Sequence, residues 1–122
     1  MGFDIFALNP KTKNEEHSYF RANVWYWRPI WSFVETVCQE EISKLDEDVG
    51  LYNDGCEVPD SIAIDIGNKL NRTLENGTFN KFQIDFENEQ KEVSDEVSYK
   101  CDYDLTKSFA DFCINSGGFS IC

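Results

Sequence analysis

One stretch of the chain concentrates side chains that can grip something. Tyr19-Phe20-Arg21-Ala22-Asn23-Val24-Trp25-Tyr26-Trp27-Arg28-Pro29-Ile30-Trp31 holds all three tryptophans, two arginines and two tyrosines in thirteen residues. Tryptophan offers flat apolar faces and a single N–H donor, and arginine offers a planar fork that fits a carboxylate or phosphate. The same residues also admit a structural reading, in which Trp25, Trp27 and Trp31 are core and Arg28 pairs with Asp54 or another carboxylate to lock two loops.

Other reactive side chains are scattered. His17 is the sole histidine and falls in a polar segment with no cysteine or serine nucleophile at a defensible spacing. Cys38, Cys56, Cys101, Cys113 and Cys122 are odd in number and widely spaced, without a C-x-x-C pair, which argues against a disulfide framework or a zinc knuckle and for reduced thiols. Asp46, Glu47 and Asp48 read as solvated loop, and Asp54 with Glu57 lacks the alternating spacing of a calcium loop. No metal or cofactor is expected. The sequons Asn71-Arg72-Thr73 and Asn76-Gly77-Thr78 read as chance matches, the second serving as a turn. No phosphate loop, metalloprotease helix or nucleophile elbow occurs.

Composition sets the frame in which these residues must work. The 122 residues suit one domain, 1–122, and 41% apolar with 15% aromatic content is globular rather than disordered. No run of about 18 apolar residues could span a bilayer, and the first residues lack a basic segment followed by an apolar one, so a cytoplasmic location is expected. The net charge of −12 is uneven: residues 1–28 hold three acids against four bases, while residues 35–65 hold ten acids against Lys44 alone. Such a field repels nucleic acid and anionic membranes, so neither is an expected direct partner. It serves either as a solvated face or as a surface that docks onto a basic partner.

The elements that must position these residues follow from periodicity. Gly2 to Leu8 alternates as a short strand and stops at Asn9-Pro10. Lys11 to Ser18 is a loop. The aromatic stretch runs into a helix with Pro29 in its first turn and Ile30, Val34, Val37, Cys38, Ile42 and Leu45 on its apolar face, ending in the acidic loop Asp46 to Gly50. Tyr52-Asn53-Asp54-Gly55 is a tight turn. A second helix starts near Pro59-Asp60, buries Ile62, Ala63, Ile66, Leu70 and Leu74, and closes at Asn76-Gly77. Phe79, Phe82 and Phe86 mark a third, to about Gln90, followed by a loop or irregular excursion over residues 91–103. Asp102 or Asp104 caps a last helix carrying Leu105, Phe109, Phe112 and Cys113. Phe119 to Cys122 is a strand expected to pair with the first. The predicted class is α+β, mainly helical, with four helices and a small antiparallel sheet from the N- and C-terminal strands.

Met1-Gly2-Phe3-Asp4, Asn9-Pro10, Tyr19-Phe20-Arg21, Asn23-Val24-Trp25, Trp27-Arg28-Pro29, Tyr52-Asn53-Asp54-Gly55 and Phe109 to Cys122 with Ser116-Gly117-Gly118-Phe119 together resemble an uncharacterised family of short proteins from bacteriophages, prophages and bacteria. The likeness runs end to end except for residues 91–103. Longer members carry a paired-cysteine insertion before the last helix. This chain has only Cys101 there, so no metal is carried over. The resemblance implies a phage or mobile-element setting and no particular activity.

The polar and aromatic residues of these motifs fall in loops and at helix ends, and they form the candidate site: Asn23, Trp25, Trp27, Arg28, Asn53, Asp54, Ser116 and Gly117. If they converge, the site would combine tryptophan faces, the Arg28 fork and the backbone N–H groups of Ser116-Gly117-Gly118, a set suited to a planar anionic small molecule such as a nucleotide. Binding rather than catalysis is the expectation: a phage-type protein that sequesters a small ligand or blocks a host protein such as a defence component. The alternatives are an acidic nucleic-acid mimic that inhibits a host nuclease or regulator, and a small nucleotide-acting enzyme with Asp54 or His17 as base and Arg28 on a phosphate.

Overall fold

The computed structural model describes residues 2–46, 48–52, 54–93 and 99–122. In chain order the elements are β1 (Gly2–Ala7), a single 3-10 turn (Glu15–His17), β2 (Tyr19–Asn23), α1 (Val24–Val37), α2 (Gln39–Ile42), β3 (Cys56–Pro59), α3 (Asp60–Glu75), α4 (Thr78–Val93), α5 (Tyr103–Asn115) and β4 (Gly118–Ile121). The class is α+β. The sheet is antiparallel throughout, in the order β2-β1-β4-β3, so the first and last strands lie side by side at its centre.

Strand alternation decides which face is buried. Phe3 and Ile5 of β1, Phe20 and Ala22 of β2, Val58 of β3, and Phe119 and Ile121 of β4 all point into the core. In the same core lie Trp27, Ile30, Trp31 and Val34 of α1, Ala63, Ile66 and Leu70 of α3, and Phe109 and Phe112 of α5, while Phe33 of α1 meets Phe79 and Phe82 of α4. The opposite face carries Asp4, Phe6, Tyr19 and Arg21. There the Tyr19 hydroxyl donates to the Asp4 carboxylate and Arg21 Nη1 lies 2.9 Å from Asp4 Oδ1. Hydrogen bonding by Tyr19 and then Arg21 outweighs desolvation and holds the Asp4 carboxyl below its ordinary value.

Two strands and a helix start depart from the sequence reading. Tyr19–Asn23 is a strand with alternating exposure rather than the lead-in to a helix, and Cys56–Pro59 is a strand along the far edge of the sheet. The helix begins at Val24, where the Asn23 side chain accepts the Trp25 N–H at 3.1 Å. Pro29 is therefore interior to α1 and not in its first turn. Its ring has no N–H for the carbonyl of Trp25 four residues back. That carbonyl accepts instead from the Lys100 N–H at 2.9 Å.

The predicted continuous helix to Leu45 is broken at Cys38, whose backbone leaves the helical region at φ −119°, ψ 39°. The short α2 then redirects the chain and turns Glu41 inward, where only 4% of its surface remains exposed. Beyond it the chain reaches Gly50. Its φ is +85°, and a Cβ there would lie 2.0 Å from Cε2 of Trp31, so only glycine fits.

Candidate functional site

The eight predicted site residues do not converge into one concavity. Trp27 is fully buried: its ring stacks between Phe3 at 5.5 Å and Trp31 at 5.6 Å, and Phe109 meets it edge-on at 5.2 Å. Its indole N–H donates to the Gly50 carbonyl at 2.9 Å. Ser116 is fully buried too, with its hydroxyl on the Cys113 carbonyl at 3.1 Å. Gly117 adopts φ +71° with its α-carbon pressed against Asn9, where a Cβ would lie 2.0 Å from the Asn9 carbonyl oxygen. The carbonyls of Asn115, Ser116 and Gly118 accept from Lys11, Asn9 and Leu8, so this turn stitches the loop after β1 to the end of α5.

Asp54 is exposed beside β3, while Asn23 ends β2 at the opposite edge of the sheet. Three strand spacings separate those edges, roughly 14 Å. Asn53 lies outside the described residues. Among the described residues Arg28 makes no ion pair with Asp54 or any other carboxylate, so the loop-locking pair is not formed.

What the structure does bring together is a corner at the start of α1. Trp25 is 48% exposed, and its ring lies 5.2 Å from that of Tyr99. Arg28, one turn further along, is exposed beside it. The segment that presents Tyr99 is fastened at several points: the Gln90 side chain accepts the Tyr99 N–H and donates to its carbonyl, each at 2.9 Å, and Gln83 Nε2 donates to the Cys101 carbonyl at 2.7 Å. Lys100 closes the clamp through the proline-vacated carbonyl of Trp25. An exposed tryptophan thus rests on a half-buried, backbone-fastened tyrosine beside the exposed Arg28 guanidinium. Sequence reasoning found Trp25 and Arg28 but missed Tyr99, Lys100 and Gln90. The signal was Pro29 itself, since an interior helix proline orphans one carbonyl and some other donor must reach it.

Two clefts accompany the corner. One, of about 240 Å³, is lined by Glu16, His17, the β2 residues Tyr19 to Arg21, and Leu105, Ser108 and Asp111 of α5. The other, of about 300 Å³, lies between α2 and α3 around Lys44, Asp65, Lys69 and Arg72. Both sit at or below the low end of the roughly 300–1,000 Å³ typical of small-molecule sites. In the second, Lys69 Nζ meets the buried Glu41 Oε1 at 2.8 Å. Burial alone would push the Glu41 carboxyl up, yet the Lys69 hydrogen bond and charge bring it net below its ordinary value. Burial pushes the neighbouring Cys38 thiol up to about 12.

The two candidate bases sit in different surroundings. Asp54 accepts the Cys56 N–H at 3.3 Å, and hydrogen bonding from the Cys56 thiol holds its carboxyl below the ordinary value, the wrong direction for a general base at neutral pH. Through the same bond the Cys56 thiol is raised to about 11. His17 Nδ1 pairs with the Thr12 hydroxyl at 2.6 Å, but that hydroxyl also accepts the Asn14 N–H, and the Asn14 side chain caps the 3-10 turn. The pair belongs to an exposed turn network. Among the described residues no three His, Cys, Asp or Glu side chains group as a metal site, all five cysteines are free, and no helix is long and apolar enough to cross a membrane.

No protein-family model, curated protein or solved structure matches this chain.

Proposed function

We propose that this chain is a non-enzymatic binding protein, of the kind phages use in the bacterial cytoplasm, that acts by covering a partner protein. The observation that carries this reading is the rigid corner of Trp25, Arg28 and Tyr99. Tryptophan, tyrosine and arginine are the residues that dominate binding energy at protein interfaces. Here Trp25 and Arg28 are exposed and Trp25 already leans on the half-buried Tyr99, so part of the side-chain ordering that docking requires is met beforehand. Interior packing of Trp27 and burial of Ser116 weigh against a small-molecule pocket at the same place. The net charge of −12 favours a partner with a basic surface and speeds the encounter with it.

Immobilised protein and its Trp25→Ala and Arg28→Ala variants, exposed to bacterial cytosol, test the reading. A protein retained in near-stoichiometric amount by the parent, and lost from both folded variants, is the expected result. Equal retention by all three removes the corner from the interface. No retained protein, together with a thermal shift on adding nucleotides or cyclic dinucleotides, replaces the reading with a small-ligand one.

A further inference from the structure

The two edges of the sheet are finished differently. β3 is four residues long, ends in Pro59 and carries exposed Glu57, devices that blunt an edge against further pairing. β2 has neither device at work. In its register with β1, the Ser18 carbonyl accepts from the Ala7 N–H at 3.0 Å, and the ladder alternates from there, so Phe20 and Ala22 pair inward. The reciprocal bonds between Asp4 and Cys122, at 2.9 and 2.7 Å, confirm the phase: even residues of β1 serve β4, odd residues serve β2. The N–H and C=O groups of Tyr19 and Arg21 therefore point away from the sheet, and no described residue pairs with them. The charge that could guard this edge, Arg21, is folded back onto Asp4.

A groove runs along that edge. Phe20 anchors α5 beneath β2 through Phe109 at 5.2 Å and Phe112 at 6.2 Å. Leu105, Ser108 and Asp111, spaced by three, present one face of α5 to the cleft beside β2, and the 3-10 turn with Glu16 and His17 closes one end. An open strand edge facing a helix is the arrangement in which an extended peptide adds as a further strand: main-chain bonds give affinity, and alternate side chains drop into the groove.

We infer that the β2 edge, with the α5 groove beside it, binds an extended polypeptide segment carrying a basic side chain as a fifth strand of the sheet. The strand's backbone pairs with Tyr19 and Arg21. The side chain opposite Phe20 enters the cleft of about 240 Å³, which has room for one long side chain, between Glu16 and Asp111. Asp111 already holds Lys107 Nζ at 3.1 Å, but Lys107 also has Asn71 at 2.7 Å, and the Asp111 side chain remains 48% exposed. Charge selects against the other simple occupant, a second copy pairing β2 to β2, because each copy carries −12. The inference uses a different surface from the Trp25 corner and stands or falls independently of it.

Selection of a randomised octapeptide phage library on the full-length protein tests this. The expected consensus alternates β-formers around a Lys or Arg, and its synthetic peptide shifts the backbone amide signals of Tyr19, Arg21, Ser108 and Asp111. N-methylation of alternate peptide amides should weaken binding about tenfold or more, the effect of losing main-chain hydrogen bonds. The double change Glu16→Gln with Asp111→Asn should weaken it several-fold and leave a glutamine-substituted peptide unaffected. A library that fails to enrich, shifts confined to other surfaces, or an N-methylated peptide that binds equally would each overturn the inference. A dimer by light scattering whose Tyr19 and Arg21 amides are protected without peptide would overturn it in favour of self-pairing.

Discussion

The indole N–H of Trp27 donates to the carbonyl of Gly50 across 2.9 Å and 23 positions of sequence, and in doing so it ties the first helix to the acidic loop. The bond is buried, and the glycine's α-carbon lies against the neighbouring ring of Trp31. Trp27→Phe removes the donor, strands the carbonyl and leaves a gap. It should destabilise the fold by about 2–4 kcal/mol, read as a lower urea midpoint at unchanged slope. Trp31→Ala, at 2% exposure, should cost about 3–5 kcal/mol.

Trp25 should behave in the opposite way. It is nearly half exposed and its ring partner among the described residues is Tyr99, so Trp25→Ala should change stability by no more than about 1 kcal/mol. Arg28→Ala should be closer still to neutral. Both should nevertheless lose partner retention, a separation of binding from stability that calorimetric unfolding and capture together would reveal.

Gln90 makes both side-chain hydrogen bonds to the Tyr99 backbone. Gln90→Ala should cost about 1–2 kcal/mol and release the segment that carries Tyr99. Hydrogen exchange should show the Tyr99 and Lys100 amides losing protection while those of α3 and α5 keep theirs. Partner retention should fall as the aromatic pair loses its order.

The Glu41–Lys69 pair sets a pH window. Glu41 is held below its ordinary 4.5, so its contribution is present above that value and is lost as pH falls through the lowered folded value. Lys69 is raised above its ordinary 10.5 by the Glu41 hydrogen bond, so its contribution is present below 10.5 and is lost as pH rises through the folded value. Stability followed by chemical denaturation should decline below about pH 4.5, and Lys69→Met should flatten that decline. The same variant at pH 7 leaves Glu41 without its cation and should lower the urea midpoint.

Periodicity made most of the fold legible. The apolar stripes of α3, α4 and α5 and the alternation of β1 and β4 stand where the spacing put them, as does the pairing of β1 with β4. What failed was short or conflicted. Tyr19–Asn23 alternates with the period of a strand, but its aromatic density pointed to the helix that follows it. Cys56–Pro59 is four residues long, too short for a period to register. Cys38 breaks a helix whose apolar face continues past it, and the turn that follows brings the Glu41 carboxylate onto Lys69, a contact that periodicity does not encode.

The candidate site divides along the same line. Trp25 and Arg28 stand exposed in one corner. Trp27, two residues from Trp25 on the helix, falls on the core face, and Ser116 and Gly117 belong to a turn that Asn9 fills. Helical phase could separate Trp25 from Trp27 only once the helix start was known, and that start depended on recognising Asn23 as its cap.

Placing β1 beside β4 also puts a timetable on synthesis. A ribosome exposes residues 2–7 well before residues 118–121, and the central ladder needs both. Until then β1 has only β2 beside it, and Phe119 and Ile121 are missing from the floor on which α3 and α5 rest. A ladder between segments so far apart in sequence adds to the contact order and slows closure. A nascent chain stalled before Gly118 would present an uncovered apolar sheet to whatever chaperone waits at the exit.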